Sequence, residues 1–152
     1  MIDERLQQSF RLSEFLRSDT AVRRGLDNVP KPTEMANIRH VLAPGMQRVR
    51  NCLGVPVHIT SGYRSPEVNR AVGGSGNSQH SQGLAADFVA PEFGLPRAVA
   101  RYLMERSAEI RYDQLIWEGA WVHISFVADR PRSQALTAHF AAGGVSYTPG
   151  VV

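Results

Sequence analysis

Two histidines and an aspartate carry the chemistry this sequence offers. Six residues intervene between His80 and Asp87 in the segment SQHSQGLAADF (78–88), and His123 lies in WVHIS (121–125). Two imidazoles and one carboxylate form the ligand set of a catalytic zinc that keeps a coordination position open. Each residue alone has a plainer explanation, since a lone strand histidine is more often a hydrogen-bonded structural residue and an Asp after Ala-Ala could end a helix. Their joint occurrence, with matching local context, favours the metal reading. His80 closes a Gly/Ser loop, Gly83 permits a tight turn, and Asp87 shares a strand face with Ala85 and Val89 while Ala86 and Phe88 point the other way. In the second segment Val122 and Ile124 face a core, which leaves His123 and Ser125 on the opposite side. If these two strands pair, the three ligands converge on one side of a sheet.

The surrounding elements must supply that sheet. Ile2, Leu6 and Phe10, spaced four apart, suggest an amphipathic opening segment that leads into a short helix capped by Ser13. The turn-forming stretch DNVPKP (27–32) ends this lead-in. Thr33 is then expected to cap a longer helix whose stripe is Met35, Ile38, Leu42, Met46, Val49 and Leu53, with a kink or a division into two shorter helices at Pro44-Gly45 and an end at Gly54. Beyond Gly54 the period changes to two, so Val55, Val57 and Ile59 mark a half-buried strand. Ser65-Pro66 opens a short helical turn, GGSGNS (73–78) is a loop, and 84–89 is a second strand. Residues 96–110 form a helix with Val99, Leu103 and Ile110 inward. Strands 113–118 and 121–127 make a hairpin across Gly119-Ala120. Residues 133–142 are expected to form a terminal helix stopped by Gly143-Gly144. This order favours an α+β fold, a small and mostly antiparallel sheet with flanking helices and the metal site on one sheet face.

Composition bounds the rest. The 152 residues, 43% hydrophobic and 20% charged, suit one domain: a lead-in over 1–32, a core over 33–127, and a helix and tail over 128–152. Neither a collagen-like nor a coiled-coil reading survives, because Gly and Pro are aperiodic and no heptads run through the chain. Cys52 is alone, so no intramolecular disulfide contributes to stability. Sixteen of the seventeen basic residues are Arg, and the excess of +3 belongs wholly to residues 1–50, with nine basic and six acidic groups, while 51–152 balance at eight each. This excess reads either as a solvated helical face or as a contact with anionic polymers. Basic and acidic groups interleave without a recognition motif, which argues against nucleic-acid binding. No apolar run approaches a membrane span, and MIDERLQQSF lacks the layout of a secretory signal, so synthesis in the cytoplasm and a monomeric enzyme are expected.

The segments SGYRS (61–65), SQHSQGLAADF and WVHIS together resemble the M15 family of zinc peptidases, which cut D-amino-acid-containing peptides of bacterial peptidoglycan. The family includes D-Ala-D-Ala carboxypeptidases and phage endolysins of the L-alanyl-D-glutamate endopeptidase type; the likeness is to its short, often phage-encoded branch, and the resemblance implies either a carboxypeptidase or an endopeptidase. It extends from Phe10 to Val127, because FRLSEFLRSDTA (10–21) is similar to the lead-in of that branch. It implies a Zn²⁺ cofactor held by His80, Asp87 and His123, with peptidoglycan stem peptides as substrate. Action would then be at the cell wall or periplasm, or from a virion. Arg64, the arginine of the SGYR motif, would stabilise an oxyanion or hold a substrate carboxylate, its alternative being a structural salt bridge.

The sequence departs from the family at the general base. Several members carry a Glu three residues before the second histidine, and Ala120 stands there instead. Glu118, five residues before His123, is the candidate base, with Asp113 in reserve. Ser78 and Gln79 would bind substrate or orient His80, and Tyr63 and Trp117 would line the cleft. His40 and His139, both expected in helices, and His58 are assigned structural roles. The competing function is a non-catalytic zinc module for wall binding or virion assembly, and whether a carboxylate faces the metal distinguishes the two.

Overall fold

The computed structural model describes residues 3–152. The chain opens with a small hairpin, β1 (Arg5–Gln7) and β2 (Phe10–Arg11), in place of the expected amphipathic segment. Its turn is pinned by Gln47, whose side-chain oxygen accepts from the Ser9 amide at 2.8 Å. Of the three residues expected to share a stripe, Phe10 is buried, Leu6 is half-buried and Ile2 lies outside the described residues. Helix α1 (Leu12–Leu16) is capped at Arg11, whose amide donates to the Glu14 carboxylate at 2.7 Å. Ser13 therefore sits one residue inside the helix, where its amide and hydroxyl both donate to the Asp3 carboxylate.

Helix α2 (Asp19–Arg24) follows, capped by the Ser18 hydroxyl. The long helix expected next forms as α3 (Pro32–Asn37), a wider π turn over Ile38–Leu42, and α4 (Ala43–Leu53) ended by Gly54. Lys31 is its N-cap and Pro32 its first residue, so Thr33 lies inside it. Pro44 has no amide to donate back to His40, and the helix answers by widening over the preceding turn rather than breaking.

Next come β3 (His58–Ser61), α5 (Pro66–Ala71) capped by the Ser65 hydroxyl, a 3₁₀ turn at Gln79–Gln82, and β4 (Ala85–Val89). The helix expected over 96–110 is divided into α6 (Pro96–Met104) and α7 (Ser107–Ile110). At the break the Arg106 guanidinium stacks over the Tyr102 ring and donates to the Tyr102 carbonyl at 2.9 Å, taking the acceptor that a continuing helix would use.

Strands β5 (Gln114–Trp117) and β6 (Val122–Ser125) form the expected hairpin. The last expectation is overturned: residues 133–142 are not a helix. They form β7 (Gln134–Ala141), which turns at Ala142-Gly143 into β8 (Gly144–Pro149). Gly143 serves with Ala142 as a hairpin turn, and Gly144 begins β8, so the pair does not stop a helix. His139 accordingly sits on a strand.

The six-stranded sheet has the order β3-β4-β6-β5-β7-β8, antiparallel throughout except for the parallel β5–β7 pair. Helices α4 and α6 supply Met46, Val49, Val99 and Leu103 to a core shared with Phe88, Leu115, Val122 and Ile124 from one sheet face. Period-two alternation then presents Asp87 and His123 on the other face. The fold is the α+β arrangement expected, with the ligand set on one side of the sheet.

Candidate active site

Strands β4 and β6 pair in register with Asp87 directly opposite His123. His80 reaches the same point from the 3₁₀ turn just before β4. Three contacts hold that turn. Ser78 accepts from the His80 amide at 3.2 Å, the His80 carbonyl accepts from the Arg64 amide at 3.1 Å, and the His80 ring donates from Nδ1 to the Gly62 carbonyl at 2.8 Å. Gly83 closes the turn at φ 74°, where a Cβ would stand 2.6 Å from the Glu34 carbonyl oxygen, so both the left-handed conformation and the close approach require glycine.

His80 and Asp87 are buried and His123 is half-buried, and one donor atom from each lies within 4.8 Å of the other two. His80 Nε2 is 3.3 Å from Asp87 Oδ1, and His123 Nδ1 is 3.0 Å from the same oxygen. Tetrahedral bonds of about 2.0–2.1 Å hold neighbouring donors roughly 3.3 Å apart, so this spacing suits zinc. The protonation pattern agrees. His80 commits its Nδ1 proton to the Gly62 carbonyl, which turns Nε2 toward the carboxylate oxygen of Asp87.

Burial by itself would raise the Asp87 pKa, but the hydrogen bonds and charge of His123 and His80 outweigh it and hold the carboxyl well below the usual range. Arg64 adds Nη2, 3.3 Å from Asp87 Oδ2, while Nε reaches Ser61 and Nη1 reaches Asn69. It therefore anchors the ligand carboxylate and still borders the open cleft. Asn69 in turn donates to the Ser75 carbonyl at 2.7 Å, tethering the Gly-rich loop over 73–78.

The ligands line a cleft of about 780 Å³. Glu118 stands on its wall, on the same sheet side as Ile116 and His123 by alternation along β5. Its Oε2 accepts from the Trp121 indole at 2.7 Å. Burial pushes the Glu118 pKa up, and nearby Asp87 adds to this, while the two histidines and the Trp121 hydrogen bond offset part of the rise.

The other expected site residues divide. Ser78 and Gln79 border the cleft, but Gln79 spends its amide on Asp113 Oδ2 at 3.0 Å. Asp113, the reserve base, is buried and held by the Arg132 guanidinium at 2.6 Å, so it serves as an anchor outside the cleft. Tyr63 is only 3% exposed and belongs to the core, not to a substrate surface. Trp117 points to the helix side, beneath Arg97, and Trp121 takes the cleft position instead. Trp121 stands two residues before His123, and strand alternation already places it on the ligand face. Asn28 was also legible only as a turn residue. It bridges the lead-in to SGYRS, donating to the Leu16 and Tyr63 carbonyls and accepting from the Ser65 amide.

Among the described residues no helix is long and apolar enough to cross a membrane. No curated protein matches the chain at a significant level. A family model described as Peptidase M15 matches residues 8–125, a span that contains all three ligand residues, Arg64 and Glu118. On that match, and on a donor set that suits a metal, the chain belongs to the M15 family of metallopeptidases.

Proposed function

We propose that the protein is a zinc peptidase hydrolysing D-amino-acid-containing stem peptides of bacterial peptidoglycan, as a cell-wall lysis enzyme of the endolysin type. The observation that carries this reading is the meeting of His80, Asp87 and His123 in one cleft with a half-buried carboxylate, Glu118, that no basic residue neutralises by a salt bridge among the described residues. When bound, zinc supplies Lewis acidity toward a carbonyl and lowers the pKa of a water to about 7.

The chain's own groups do the rest. Glu118, its pKa raised by burial, accepts a proton from the attacking water and returns it to the nitrogen of the leaving amine. The peptide C–N bond breaks, and a carboxylate and an amine result. Trp121 holds the Glu118 carboxylate in place through its indole N–H. Arg64 orients Asp87, and its N–H donors not spent on Ser61, Asn69 and Asp87 favour negative charge developing on the substrate. Gly62 fixes the tautomer of His80. The presence of Glu118 in the cleft supports catalysis over a binding-only zinc module.

In this reading the whole of 1–152 works as one unit around a catalytic core at 33–127, and the basic excess of residues 1–50 holds the enzyme on anionic envelope polymers. Purified protein loaded with zinc and incubated with muropeptides releases a defined fragment, located by mass spectrometry, and His123→Ala abolishes both metal binding and release. Stoichiometric zinc with no product from any stem peptide would sink the proposal.

A further inference from the structure

The sheet register extends the ligand face well beyond the ligands. Asp87 pairs with His123, His123 with Ile116, and Ile116 with Leu136. Two and four residues farther along β7, Ala138 pairs with Tyr147 and Phe140 with Val145. Side chains directly paired across a sheet share a face, so all of these stand on the side that carries Asp87 and His123. The opposite side of the outer hairpin carries His139, Ser146 and Thr148.

This polarity is unusual for a projecting hairpin. Phe140, Val145 and Tyr147 are 63%, 45% and 48% exposed, yet all three line the catalytic cleft. Three large apolar side chains held open to water on one face cost solvation free energy unless a ligand covers them. The hairpin lies wholly outside the family match at 8–125. Tyr147 lines the same cleft as Glu118.

We propose that Phe140, Val145 and Tyr147 form an apolar binding wall for the part of an extended stem peptide that lies beyond the residues flanking the scissile bond. This rests on the peptidase reading above. Three strand spacings of about 4.8 Å separate β6 from β8, roughly 14 Å, the span of about four residues of extended peptide. The occupant is identified by continuity: a chain whose scissile bond lies at the ligands and which runs across the strands reaches the wall without leaving the cleft. Its methyl and methylene groups would pack on the rings, while its backbone remains in water.

The test uses the zinc-loaded full chain in a Glu118→Gln background, so that peptide binds without turnover, and a glycan-free pentapeptide stem as probe in calorimetry. Adding Phe140→Ser with Tyr147→Ser weakens Kd about tenfold, the loss of roughly one large buried apolar contact. His139→Ser, on the opposite face of the hairpin, leaves Kd unchanged. Circular dichroism and melting temperature report whether the double variant keeps its fold, and Phe140→Leu restores most of the affinity in the Tyr147→Ser protein. An unchanged Kd in the folded double variant, or equal loss in His139→Ser, overturns the wall. Failure of the unmutated enzyme to cleave a pentapeptide that it binds through these residues would count against the catalytic reading alone.

Discussion

Replacing Gly62 by Ala tests whether the backbone of β3 sets up the ligand His80. A Cβ on residue 62 would stand 2.5 Å from the Phe15 carbonyl oxygen and 2.9 Å from the Phe15 Cα, where ordinary contact begins at 3.4 Å. Both obstacles are backbone, and the same carbonyl already accepts from the Tyr63 amide at 2.7 Å, so α1 or the end of β3 must move by about 0.9 Å. Overpacking of this kind costs about 1–3 kcal/mol, which lowers the melting temperature by roughly 3–10 °C in a domain of this size. The Gly62 carbonyl is also the acceptor for His80 Nδ1 at 2.8 Å. Its displacement releases the ring tautomer and weakens zinc binding by about 10–100-fold. Thermal melts of the metal-free protein and competition with a chromophoric chelator measure the two effects separately. Gly76→Ala is the control, because nothing lies within 4 Å of a Cβ there. If melting temperature and zinc affinity both match the unmutated protein, the packing argument is wrong. A lower melting temperature with unchanged zinc affinity would refute the role of the Gly62 carbonyl.

Other outcomes follow from the same geometry. Glu118→Gln removes the proposed base but keeps the shape and the Trp121 contact, so kcat falls by about 10²–10⁴ while zinc stoichiometry is preserved; loss of metal would mean that Glu118 acts as a ligand instead. Trp121→Phe deletes the hydrogen bond that lowers the Glu118 pKa and leaves burial unopposed by it, so the acid limb of the kcat/KM profile moves to higher pH. A limb that stays in place or moves to lower pH contradicts the assignment. Arg132→Ala leaves the buried Asp113 with fewer donors and destabilises the fold by about 1–3 kcal/mol, measured by urea unfolding. The Asp113 pKa is depressed, chiefly by the Arg132 hydrogen bond, so this stabilisation is present above the ordinary Asp value and is lost as pH falls through the depressed one. The gap between variant and parent is therefore widest near neutrality and closes in acid.

Local pattern determined much of this protein. Alternation along 84–89 and 121–127 was enough to put Asp87 and His123 on the face opposite Phe88, Val122 and Ile124, because a strand has only two sides. Capping at Ser65 and the end at Gly54 were equally legible, since each depends on residues within a turn of one another. Tertiary contact decided the rest. Whether 133–142 became helix or strand depended on a parallel pairing with β5, about twenty residues away, and on β8, none of which a local period reports. Tyr63 and Trp117 face the core because of where α1 and α6 pack, and aromatic rings suit either setting. Gly62 stood only as part of SGYRS, and Asn28 only as part of a turn, until the fold brought Phe15, Leu16 and His80 against them. The donor set could be read from residue types and spacing. The tautomer, the ionisation of Asp87 and the apolar wall beside it arise from groups distant in sequence, and only the folded chain brings those together.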